Sequence, residues 1–175
     1  IASTKSDETI IALSPDLSDE FDVSFDGSKN FENAASWPSI FTQLENGDKM
    51  SINGLAIFSD ESYSLPLSIQ VAEEGKQQLS VSQFQDFDPL MEIYLEDKLL
   101  DQLIDLKQQN SYEFEASEGL DSERFVIHFR QHRVTGLTDD WANAGTTLWT
   151  KNQQVHIKFD TPEDAKKRRP LPPVS

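Results

Sequence analysis

Apolar and polar residues alternate over five separate stretches of this chain, and that period constrains the fold more than any other feature. Tyr63, Leu65, Leu67, Ile69 and Val71 make the longest run. Phe21, Val23 and Phe25 repeat the pattern, as do Met91, Ile93 and Leu95, then Tyr112, Phe114 and Ala116, then Phe125, Ile127 and Phe129. Successive side chains of a strand point to opposite faces, so a period of two marks a strand with one buried face. Turn signals fall between the runs at Ser14-Pro15, Asp26-Gly27, Asn46-Gly47-Asp48, Glu74-Gly75-Lys76, Asp86-Phe87-Asp88-Pro89 and Glu118-Gly119. Strands spaced by roughly 8–12 residues, with no helix-length segment between them, predict an all-β domain. The expected architecture is an antiparallel β-sandwich of jelly-roll-like form, followed by a short C-terminal hairpin that has the look of a second module's start.

Shorter apolar groups complete the outline. Ile10, Ile11 and Leu13 form a first strand, and Met50, Ile52, Leu55 and Ile57 form another around Asn53-Gly54. Leu79, Val81 and Phe84 read as a strand returning through a hairpin at Glu74-Gly75-Lys76. Leu99, Leu103 and Leu106 have helical spacing, but the segment is short and wedged between strands, so it reads as a loop and a strand. Residues 30–44 read as an irregular loop with at most one helical turn. The expected organisation is a linker over 1–8, a β-sandwich over 9–135, a hairpin over 136–160 and a basic, proline-rich tail over 161–175. The hairpin strands would be 147–150 and 155–159, and the tail's Pro-x-x-P pattern is read as linker.

With 175 residues, the chain has the length of one sizeable domain. Its net charge of −16 opposes phosphate-rich partners, so neither nucleic acid nor an anionic membrane surface is expected. The absence of Cys excludes disulfides, thiolate metal sites and thiol nucleophiles. No apolar run approaches the ~20 residues of a membrane-spanning helix, so membrane insertion is not expected. The sequence opens on Ile1 rather than Met, and we expect it to be a piece of something longer.

Catalytic signatures are missing: there is no G-x-S-x-G, H-E-x-x-H, phosphate loop or dinucleotide glycine fingerprint, and no catalytic residue is expected. Acidic pairs such as Glu96 with Asp97, or Asp101 with Asp105, have the composition of a glycosidase acid and base, but among 31 acidic residues they carry little information. A glycoside hydrolase is therefore the least favoured reading. His128 and His132 have even spacing that suits one strand face, and with His156 they read as ordinary strand residues rather than a metal site. Two oxygen-rich groups have the donors for a structural calcium ion, the only cofactor considered: Asp26, Ser28 and Asn30, and separately Asp16, Asp19, Glu20 and Asp22. Trp37 and Trp141 are the candidate ligand-binding residues, because exposed indole faces stack on sugar rings, and polysaccharide is the ligand this would imply.

One ordered series of short motifs carries a family resemblance. It comprises Ile93-Tyr94-Leu95-Glu96-Asp97-Lys98, then Asp105-Leu106, then Asn110-Ser111-Tyr112-Glu113-Phe114, then Ser122-Glu123-Arg124-Phe125-Val126-Ile127-His128-Phe129, with Lys49-Met50-Ser51-Ile52-Asn53-Gly54-Leu55 and Leu65-Pro66-Leu67 upstream. The series resembles a module of large Bacteroidetes surface proteins that lies just ahead of a type IX secretion sorting domain. Residues 147–159 look like that sorting domain's opening strands, although the Arg168-Arg169-Pro170 ending departs from the usual pattern. The resemblance implies an accessory module displayed outside the cell, with the secretion machinery or neighbouring domains of its own chain as partners, and it brings no catalytic residue. Within it, Glu96-Asp97-Lys98 and Asp121-Ser122-Glu123-Arg124 read as turns and surface charge pairs. Two functions follow as expectations: a structural module associated with secretion or, alternatively, a carbohydrate-binding module.

Overall fold

The structure, a computed structural model, describes residues 5–57, 62–87, 89–131 and 153–161. These residues are all-β, with no helix among them. The strands are β1 (Lys5–Ser14), β2 (Gly27–Ser28), β3 (Ser39–Gln43), β4 (Lys49–Ala56), β5 (Ser62–Val71), β6 (Gly75–Gln85), β7 (Glu92–Asp97), β8 (Gln102–Asp105), β9 (Ser111–Ala116), β10 (Gly119–Arg130) and β11 (Gln153–Thr161). They hydrogen-bond in the order β8-β7-β10-β5-β3-β4-β1-β11-β6-β9, with β2 added to β4. Strand β3 turns the corner, because Ser39 to Phe41 pair with β5 whereas Thr42 and Gln43 pair with β4. One sheet thus bends into two walls around a single core, a barrel that is nearly closed.

The core is built from the in-phase residues of nearly every strand. Leu65, Leu67, Ile69, Ile93, Leu95, Phe125, Ile127 and Phe129 come from one wall, and Ile11, Leu13, Leu79, Phe114, Val155, Ile157 and Phe159 from the other. Phe114 joins the walls, with its ring centroid 4.8 Å from that of Phe125 and 6.2 Å from that of Phe159. Each such large side chain contributes roughly 1.5–3 kcal/mol by leaving water. Pro66 is tolerated inside β5 because β3 pairs only with Ser68, Ile69 and Gln70, leaving Pro66 a neighbour on the β10 side alone.

Four expectations are corrected. The sheet is mixed rather than antiparallel throughout, since β1 and β4 run parallel, with Ile10 opposite Ile52 and Leu13 opposite Leu55. Parallel neighbours need a long crossover, and residues 15–48, which carry β2 and β3, supply it. The second correction concerns 21–25, which form no strand and leave Phe21 and Val23 exposed. Asp22 captures the backbone instead: its Oδ1 accepts from the Ser24 amide, its carbonyl accepts from the Phe25 and Asp26 amides, and its own N–H donates to Asp26 Oδ2. Third, β5 and β6 are not hairpin partners, because the chain crosses between the walls at 72–74. Fourth, residues 39–43, expected in an irregular loop, form the corner strand β3, which buries Ile40 and Phe41.

Strand β11 falls in the segment expected to start a second module. It lies between β1 and β6, antiparallel to both, with Val155, Ile157 and Phe159 in the shared core. Residues 153–161 therefore belong to the same sheet as β1. The partner strand expected at 147–150 lies outside the described residues, as do the tail from 162 and half of the expected linker, 1–4; the other half, 5–8, opens strand β1 instead. The Asn46-Gly47-Asp48 turn is as expected, with Gly47 at φ 90° closing the hairpin between β3 and β4. Gly54 has a different duty: a Cβ there would lie 2.7 Å from Phe25 Cδ1 and 3.0 Å from Leu17 Cδ1, so the glycine lets the 15–26 loop lie directly on β4.

Candidate functional site

The two ends of the strand order, β8 and β9, leave a seam in the barrel. A buried ion pair lies beside it, and bonds from that pair to β9 span it. Asp97, the last residue of β7, is fully buried, and Arg124 of β10 is 6% exposed. Arg124 Nε donates to Asp97 Oδ1 at 2.9 Å and Nη2 donates to Oδ2 at 2.7 Å, the two-point fork that fits a guanidinium to a carboxylate. Tyr112 of β9 donates its hydroxyl to Asp97 Oδ2 at 2.9 Å, and Arg124 Nη1 donates to the Glu115 carbonyl, also on β9, at 2.9 Å. The amides of Leu99 and Leu100 complete the shell around Asp97 Oδ1.

A bulge supplies the arginine. The register between β10 and β5 shifts between Asp121 and Phe125, and Asp121 Oδ1 accepts the Glu123 and Arg124 amides inside that shift. Arg124 is thereby turned inward, where its guanidinium lies 4.6 Å from the Phe114 ring centroid and 4.9 Å from that of Phe125. These contacts replace the water lost on burial.

The electrostatics suit holding rather than proton transfer. Burial pushes the Asp97 carboxyl up, but its bonds to Arg124 and Tyr112 outweigh burial and hold it below the ordinary 3.8. For Tyr112, burial first and the Asp97 carboxylate second push the phenol up to about 12. A phenol with a raised pKa stabilises the fold fully below its unfolded pKa of 10.0, and the benefit disappears as pH rises from there toward about 12. Tyr112→Phe is accordingly expected to cost about 1.5–3 kcal/mol at neutral pH and to lack that alkaline loss. Urea unfolding between about pH 7 and pH 11 measures both effects.

The expected surface charge pairs are thus corrected at Asp97 and Arg124, which are buried because the seam gives each a full set of partners. The other carboxylates act locally. Glu96 faces outward and pairs with His128 Nε2 at 3.0 Å, while Ser64 Oγ lies 2.8 Å from His128 Nδ1. Asp105 accepts the Lys107 and Gln108 amides. His156 Nδ1 lies 3.6 Å from Glu8 Oε1, and His132 lies outside the described residues.

Several of the expected calcium donors accept backbone amides. Asp26 Oδ1 accepts the Gly54 amide at 2.7 Å and fastens the 15–26 loop to β4, while Oδ2 accepts the Asp22 amide at 2.8 Å within the loop. Ser28 offers its carbonyl to Ser51 Oγ, and Asn30 Oδ1 accepts the Glu32 amide. Asp19 Oδ1 accepts the Ala56 amide. Among the described residues no group of three or more His, Cys, Asp or Glu is arranged to hold a metal ion.

Trp37 is 42% exposed, and Trp141 lies outside the described residues. The aromatic that sequence reasoning missed is Phe21, 46% exposed because its segment is a loop. It borders a cleft of about 820 Å³ with Asp19, Glu20, Leu44, Glu45 and Asn46. A second open cleft, of about 640 Å³, lies against the seam beside Arg124, Glu74, Glu118 and Leu120.

A family profile described as Domain of unknown function (DUF8693) matches residues 1–129. The chain belongs to this family. No curated protein and no solved structure matches it. Asp97, Tyr112 and Arg124 all lie inside the DUF8693 span, as do strands β1 to β9 and nearly all of β10. Strand β11 lies beyond it.

Proposed function

We propose that this DUF8693 domain is a non-catalytic accessory module of an exported, surface-displayed bacterial protein associated with type IX secretion, serving to hold its neighbouring domains in a fixed frame. Its partners in this reading are adjacent domains of the same chain and the secretion machinery. The observation that carries the proposal is where the motif series lies: Ile93, Leu95, Phe114, Phe125, Ile127 and Phe129 build the core, and Asp97, Tyr112 and Arg124 bind one another at the seam. Residues buried in this way specify a shape. Asp97 speaks against acid–base chemistry at the seam, since its shell is filled by donors and its pKa is lowered rather than tuned toward neutrality. In this reading the two walls act as a sandwich around one core. No helix among the described residues is long and apolar enough to cross a membrane.

A second reading, glycan binding, draws on the cleft where the exposed Phe21 meets Asp19, Glu20, Glu45 and Asn46. An aromatic face beside carboxylate and amide groups is the composition of a sugar site. The test is a thermal-shift screen against soluble polysaccharides, with calcium and with chelator. A ligand that binds only the folded state at 100 times its Kd adds about 2.7 kcal/mol of stability. The structural reading predicts no rise with any glycan. A sugar-specific rise that is lost on Phe21→Ala or Trp37→Ala would replace it with the lectin reading.

A further inference from the structure

We propose that the space between β1 and β6 is a strand-acceptor groove, and that its occupant is the segment Gln153–Thr161 of this same chain, donated from beyond the DUF8693 span. Three observations carry this. Strand β11 is an inner strand of its wall, with β1 on one side from Lys5 opposite Thr161 to Leu13 opposite Gln153, and β6 on the other from Gln78 opposite Asp160 to Gln85 opposite Gln154. Yet the described strand before it, β10, belongs to the opposite wall between β5 and β7, so its place is not set by a hairpin with β10. The family match ends at residue 129, before this strand begins.

The chemistry of the segment fits a donor strand. Val155, Ile157 and Phe159 point into the core at 0–2% exposure, while Gln154, His156 and Lys158 between them face outward. A strand added between two edges gains main-chain hydrogen bonds on both sides, and its alternate side chains select it through pockets. Without it, β1 and β6 would each present an unpaired edge, the surface on which sheets recruit other chains. The fit is imperfect at its start, where Gln153 Oε1 is buried without a hydrogen-bond partner among the described residues. The groove therefore recognises an extended peptide with apolar residues at every second position.

The test uses the full chain with a protease site inserted in 132–152. After cutting, the C-terminal fragment is expected to co-elute with the rest under native conditions and to separate only in denaturant. Refolding the cut protein with a tenfold excess of a labelled peptide of sequence 153–161 should replace most of the fragment by label, and the same peptide carrying Ile157→Asp should leave at least tenfold less label bound. Free loss of the fragment with no change in melting temperature, failure of the peptide to enter, or equal uptake of the Ile157→Asp peptide would each overturn the proposal. Uptake confined to dimers would assign the occupant to a second copy and overturn the same-chain assignment. Hydrogen exchange on the intact chain gives an independent readout that needs no refolding. Ile157→Asp should speed exchange of β1 and β6 amides well ahead of those in β5 and β10, and uniform acceleration would show that β11 is no separable donor.

Discussion

Replacing Arg124 by methionine is expected to destabilise the domain by about 3–5 kcal/mol, the usual cost of removing one partner from a buried ion pair. The variant keeps a fully buried Asp97 carboxylate with only the Tyr112 hydroxyl and two backbone amides to satisfy it. It also frees the Glu115 carbonyl at the seam and removes a cation from the faces of Phe114 and Phe125. For a domain of this length each kcal/mol lowers Tm by about 2–4 °C, so a fall on the order of 10 °C should be visible by circular dichroism.

The pH dependence should change sign with the same substitution. In the native protein Asp97 is held below the ordinary value, so its contribution is complete above about pH 4 and is lost as pH falls through its folded pKa. With the guanidinium gone, burial dominates and the folded pKa rises above the unfolded one. Lowering the pH toward about 4 should then narrow the gap between variant and native protein, as measured by urea unfolding at pH 7 and pH 4.

Phe159→Ala is expected to cost about 3–5 kcal/mol, as for other fully buried aromatics cut back to a methyl group. Phe159 has no exposed surface and stacks on Phe114, whose ring also touches Phe125 in the opposite wall. The loss should register in the single unfolding transition that reports the whole core. Gln154→Ala, on the outward side of the same strand, should stay within about 0.5 kcal/mol of the native protein. A strand of a separate module would give the opposite pattern, with the main transition unmoved by either change.

Much of the fold is legible in the sequence because period two is a local signal that the sheet preserves. Residues 63–71, 112–116 and 125–129 are strands with the expected faces buried. Pairing is not local, and so the parallel β1–β4 ladder, the β5–β6 crossover and the insertion of β11 between β1 and β6 had no sequence signal of comparable strength. Residues 21–25 misled because alternation competes with aspartate side chains that cap their own backbone, and at Asp22 and Asp26 the caps prevail.

The seam was half legible. Asp97 continues the phase of the buried Ile93 and Leu95, and Tyr112 shares the phase of Phe114, so parity alone places both on the core side. Arg124 is out of phase with Phe125, Ile127 and Phe129, and only the bulge that begins at Asp121 turns it inward. Its identity as Asp97's partner depends on a register irregularity that no residue pattern announces.

If the motif residues close the barrel as one coupled unit, a double-mutant cycle at the seam should show the coupling. Arg124→Met, Asp97→Leu and the pair together would be compared by urea unfolding at pH 7. Each single change is expected to cost several kcal/mol and the double clearly less than their sum, because removing both partners leaves no buried charge unpaired. Single changes that leave stability within about 0.5 kcal/mol, or costs that simply add, would contradict it.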